Sequence, residues 1–227
     1  MSGKWIALLL SLCVLLQARA QNSTATWGAY TSNGIGDASG NPLPNGSNDL
    51  TLLGTFKGLT NSQIAAMAST NETGLMADFT TYAHSVVGAL QINGPGSASD
   101  GYWENTTQAS TNALGIQNLE MYYVVFNAPT AGAASQYGIF TDPGNASWVF
   151  PADNTVSNVS VTDLSDVPKN SSGILWGSYG TGTSRDTVSP LYNLAGISSV
   201  PEPSTWAAAA LAFGAVLSTA IRRGKRH

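Results

Sequence analysis

Cysteine is almost missing from this chain of 227 residues: the one thiol, Cys13, lies near the N-terminus, and none occurs from residue 21 onward. That excludes a disulfide framework and a thiolate metal site from the central region, whose stability must come from a packed core. Basic residues are scarce there too. Between residues 21 and 199 only Lys57, Lys169 and Arg185 stand against 12 acidic residues, a formal net charge of −9. Nucleic acid is excluded as a partner for such a surface, because binding it needs a basic face to neutralise phosphates. His84 is the only histidine besides the terminal His227, and no Gly-x-Ser-x-Gly elbow occurs, so a nucleophilic triad has no support. His84 therefore reads as a structural or solvated residue. Long apolar runs are missing between residues 21 and 199 and occur only at the two ends.

The N-terminal run has the layout of a secretory signal. Lys4 supplies a positive start, Trp5 to Leu16 an apolar stretch, and Ala18-Arg19-Ala20 a small-x-small site before Gln21. Cleavage is expected after Ala20. Leu12 ahead of Cys13 is too large for a lipobox, so lipidation is not expected.

At the other end, Pro201 and Pro203 fix their own φ angles and push Val200 and Glu202 into extended conformations. Trp206 to Ile221 follows without charge or proline, and at 1.5 Å per residue it spans about 24 Å, against a hydrocarbon core of about 30 Å. Seven of these sixteen residues are Ala, so the helix is expected to be a marginal anchor suited to transient retention. Arg222, Arg223, Lys225 and Arg226 set the stub on the cytoplasmic side, and the body faces outward.

Val200-Pro201-Glu202-Pro203-Ser204-Thr205, then an apolar helix, then an Arg-rich terminus resembles the PEP-CTERM sorting signal of exported bacterial proteins. The resemblance implies a membrane-embedded exosortase-type peptidase as partner. It would recognise Pro201-Glu202-Pro203, cleave near it, and pass the body from the inner membrane to the cell surface or the extracellular polysaccharide. The expected organisation is a signal peptide over 1–20, an exported β-rich domain over 21–189, a linker over 190–199 and the sorting signal over 200–227.

About 180 residues between the two ends suffice for one domain with its own core. Their apolar residues come in short bursts separated by turn chemistry, which predicts an all-β body, a β-sandwich or jelly roll with one short helix. Strands are expected at Leu50 to Phe56, Met121 to Phe126, Tyr137 to Phe140, Ser147 to Phe150, Val156 to Val161 and Ile174 to Tyr179. Thr60-Asn61-Ser62-Gln63 is a capping-box pattern and predicts the helix. Leu75 to Leu90 fits either a strand or a helix, and Asn93 to Asp100 reads as a loop.

Candidate chemistry is sparse. Asp78, Asp100, Glu104 and Glu120 are available for a glycosidase pair, but no spacing selects two of them. Asp153, Asp163 and Asp166 are the calcium candidates; they lack the Asp-x-Asp-x-Asp-Gly loop and read more simply as turn carboxylates. Trp148 and Trp176 sit in apolar bursts and are expected in the core. Trp103, in the polar stretch Asp100 to Asn105, is the candidate for stacking on a sugar ring. Seven Asn-x-Ser/Thr sequons are expected as turn and surface residues rather than glycosylation signals. No cofactor is called for. These features predict a non-enzymatic, exported surface or matrix protein that is structural, adhesive or carbohydrate-binding, the alternative being a surface glycoside hydrolase with paired carboxylates.

Overall fold

The computed structural model describes residues 22–31, 33–88, 100–153, 159–184 and 187–197. The body is sheet-rich with few helices. Strand β6, Tyr122–Phe126, is at its centre, and all five of its residues are buried. Its side chains alternate between two separate clusters, as the two-residue period of a strand requires. Tyr123 and Val125 enter one cluster with Leu53, Trp27, Trp103 and Trp148. Tyr122, Val124 and Phe126 enter the other with Leu52, Phe56, Ile64 and Leu75. A strand covered on both faces reads in sequence as a continuous apolar run, which is why this one is so legible.

β6 pairs antiparallel with β3 (Leu50–Phe56) and with β7 (Gln136–Phe140); β4 (Phe79–Val86) extends the sheet beyond β3. The short strands β9 (Ile174–Trp176) and β12 (Ala195–Gly196) both pair with β7. One face of this six-stranded sheet packs on helix α1 (Asn61–Thr70), whose Ile64 and Ala68 are buried, and on α2 (Glu72–Ala77), which contributes Leu75. The expected capping box is present. Thr60 Oγ1 accepts from the Gln63 N–H, and the Gln63 side chain accepts from the Thr60 N–H at 2.9 Å. The segment that fitted either helix or strand contains both, helix to Ala77 and strand from Phe79.

The opposite face meets a three-stranded sheet in which β1 (Ser23–Ala29) lies between β5 (Trp103–Ala109), antiparallel, and β8 (Val159–Asp163), parallel. A third sheet joins β10 (Ser178–Ser184) and β11 (Thr187–Asn193) as an antiparallel pair, with β2 (Gly34–Gly36) parallel to β11. Tyr123 bridges the first two sheets from the core: its hydroxyl donates toward Thr162 and accepts the Gly28 N–H at 3.1 Å.

Three expectations are corrected. Ser147 to Phe150 does not form a strand; Ala146–Trp148 is a 3-10 turn, started by Asn145 through its side chain and packed by the buried Trp148. Ile174 to Tyr179 is broken at Gly177, whose φ of +123° disfavours other residues and whose missing Cβ would stand 2.5 Å from the Asn193 carbonyl oxygen. Of the stretch expected as a linker, 190–199, the described part to Ile197 belongs to the folded body. Strands continue to Gly196, Leu191, Tyr192 and Leu194 are buried, and the Ile197 N–H still donates to Ser135 at 2.9 Å.

Candidate functional site

The register of β1 brings together two acids that the sequence leaves 59 positions apart. Gly28 pairs with Glu104 on β5 and with Asp163 on β8, so all three belong to the outer face of that sheet, opposite Trp27 and Trp103. Gly28 allows the close approach. A Cβ there would lie 2.3 Å from the Trp103 carbonyl oxygen. The chain leaving β1 then covers the acids, and Glu104 and Asp163 retain only 4% and 5% exposure.

The two carboxylates are treated differently. Asp163 accepts from the Tyr30 and Thr31 N–H groups at 3.1 and 3.2 Å, from Thr31 Oγ1 at 3.0 Å and from the Ser165 N–H at 2.7 Å. Four donors match the capacity of one carboxylate. Glu104 accepts no hydrogen bond from any described residue. Burial, and then the charge of Asp163, push its carboxyl above the ordinary glutamate value. The Tyr30 phenol beside them is pushed up to about 12 by burial, then by Asp163, Glu104 and Asp166.

The calcium candidates do not converge. Asp163 and Asp166 form a capping box on the 3-10 turn Leu164–Asp166, with Asp166 accepting the Asp163 N–H at 3.1 Å. Asp153 instead serves helix α3 (Thr111–Leu114): it accepts from the Ser110 hydroxyl, from the Thr111 N–H and hydroxyl at 2.7 and 2.8 Å, and from the Asn112 N–H at 3.0 Å. Among the described residues, no group of three acid, histidine or cysteine side chains is arranged to hold a metal ion.

The remaining acids are dispersed. Asp78 is an exposed C-cap, and exposed Asp100 accepts the Asn45 N–H at 2.7 Å. Glu120 accepts from Thr141 Oγ1 at 2.6 Å and from Asn61 Nδ2 at 3.3 Å, while the Tyr122 hydroxyl donates to Asn61 Oδ1. His84 is exposed on β4.

Trp103 is not a surface stacking residue. It opens β5 with 0% exposure, edge-on to Trp27 at 6.5 Å and to Tyr123 at 6.1 Å. Its polar surroundings suggest a loop, but Trp103 and Glu104 alternate across the pleat of β5. Trp148 is in the core as expected, whereas Trp176 is half-buried with its ring 6.1 Å from Tyr137. Asn71, Asn145 and Asn170 use their side-chain oxygens as acceptors in caps and a turn, the turn role expected for these sequons. A pocket of about 320 Å³ lies beside β8, lined by Asn118, Ser147, Val149, Phe150 and Ser160 among others, with no titratable side chain.

The signal residues Ala18, Ala20 and Gln21, the motif Val200 to Ser204, and Trp206 to Arg226 lie outside the described residues. Among the described residues, no helix is long and apolar enough to cross a membrane. The site thus belongs to a sheet-rich protein in which two unlike buried carboxylates share one sheet face; a third buried acid among the described residues, Asp49, precedes β3. No protein-family model, no curated protein and no solved structure matches the chain.

Proposed function

We propose that this chain is an exported bacterial surface or extracellular-matrix protein, delivered through its C-terminal tail, with a β-sandwich or jelly-roll body that is structural, adhesive or carbohydrate-binding. The observation that carries this reading is the order of three sequence elements at 200–227: a Pro-Glu-Pro motif, a short Ala-rich apolar run and a basic stub. An N-terminal signal and a strongly acidic, cysteine-free body are in keeping with it. An exosortase-type peptidase is the processing partner and the inner membrane a transient location.

Mass spectrometry of the surface-exposed protein tests this. A new C-terminus close to Pro201-Glu202-Pro203 is expected, and Glu202→Ala should leave full-length protein in the inner membrane. Retention of Trp206 to His227 on the mature surface protein would refute the sorting role. Retention on matrix polysaccharide in a pull-down separates a carbohydrate-binding body from a purely structural one.

One observation favours a second reading, a surface glycoside hydrolase. Glu104 and Asp163 share a face, and Glu104 is pushed upward as a general acid would be. Their burial and the four donors already on Asp163 weigh against it. Loss of a measured glycosidase activity in Glu104→Gln would establish it over the first reading of the body.

A further inference from the structure

We propose that Glu104 and Asp163 form a proton-operated latch on the chain leaving β1: Tyr30 and Thr31 are held to Asp163 while Glu104 is protonated, and are held more loosely once it ionises. The inference rests on the body alone and is independent of the tail.

The latch is built from the register. Asp163 fastens the chain at three points, the Tyr30 N–H, the Thr31 N–H and the Thr31 hydroxyl, and a second hydroxyl contact at 2.8 Å joins Thr31 to Ser165. These bonds are strongest to an ionised acceptor. Across Gly28 stands Glu104, 4% exposed and without a donor from any described residue. Ionised, it adds a second negative charge to a site with little solvent contact, and partial desolvation and like-charge repulsion both penalise that state.

No described base is bonded to either acid: His84 is exposed on β4, and it is its main-chain carbonyl that takes the Asn105 Nδ2 at 3.0 Å. Lys57 donates to the Leu114 carbonyl at 2.6 Å, and Lys169 lies 4.8 Å over the Tyr179 ring. The titratable groups facing the pair are Tyr30 from the exit of β1 and Asp166 from the following turn, with the buried phenols of Tyr123 on β6 and Tyr192 on β11 acting on Asp163 from the core side; none of them carries a positive charge. A metal ion is the other means of neutralisation, but Asp163 has its four acceptor positions filled and no third ligand converges among the described residues. A proton on Glu104 meets the requirement without moving any group. The upward push on the Glu104 carboxyl agrees with this geometry.

The sign follows from linkage. A carboxyl raised in the folded state favours the fold when protonated, and that contribution is lost as pH rises through its folded-state value. Low pH therefore closes the latch.

Amide hydrogen exchange of Tyr30 and Thr31 in the full chain, corrected for intrinsic exchange and followed from about pH 4 to about pH 8, tests the latch. Wild-type protection at both amides should fall severalfold with rising pH. Glu104→Gln should keep the acid-form protection throughout, and Asp163→Asn should lose it at every pH. A wild-type profile independent of pH, or the same decline in Glu104→Gln, would overturn the proposal. The carboxyl carbon shift of Glu104 in the unmutated chain gives a second reading: a midpoint above the ordinary glutamate range supports it, and one at or below that range overturns it.

Discussion

Asp153 shows how a single acid can organise a segment distant in sequence. Burial alone would raise its carboxyl, but hydrogen bonds from Ser110, Thr111 and Asn112 outweigh that effect and hold it below the ordinary aspartate value. Its contribution is thus present above the ordinary value and lost as pH falls through the depressed one. Asp153→Asn should lower stability at neutral pH by about 1 kcal/mol, a low figure because the group is partly solvated. In urea unfolding the gap to wild type should close on acidification. Glu104 has the opposite sign, so substitutions at the two acids should respond to pH in opposite directions. Both acids stand in ordinary polar stretches of sequence, and nothing in either stretch distinguishes a fully bonded carboxylate from one that takes no donor from the described residues.

At the scale of elements, legibility follows coverage. β3 and β6 are apolar on both sides because each strand is covered by a sheet on one face and helices on the other, and both were readable as apolar bursts. β1 and β5 were not. Over most of their length only one face is covered, and they alternate small, aromatic and hydroxyl residues: Thr24 and Thr26 face outward while Ala25 and Trp27 are buried. Sequences such as Ser23 to Ala29 and Trp103 to Ala109 therefore resemble loops by composition although they pair over seven positions. Their contact depends on Gly28. Gly28→Ala should force β1 from β5 and destabilise the protein by about 1–3 kcal/mol, measured as a fall in the denaturation midpoint. The helix was legible for a local reason, since a capping box lies within four consecutive residues.

For the whole molecule, the boundary of the folded body is a direct test. The compact unit ends at Ile197, and its last strands bury Leu191, Tyr192 and Leu194. Ending the chain after Ile197 should leave the thermal midpoint of the body unchanged. Ending it after Ser189 should abolish cooperative unfolding, because it removes these core side chains and half of β11. By itself the sequence determined the charge of the body, its lack of cysteine chemistry, the two apolar ends with their sorting expectation, and the elements that signal locally: β3, β6, β7 and the capped helix α1. Composition and short spacings suffice for these, because each depends on residues near one another in the chain. Tertiary structure alone decided that Trp103 is core, that Asp153 caps a helix away from Asp163 and Asp166, that the chain remains folded to Ile197, and that Glu104 and Asp163 share a sheet face across Gly28. The placing of Trp103 and of Glu104 with Asp163 depends on strand register, and register is fixed by the packing of whole sheets rather than by the residues that it aligns.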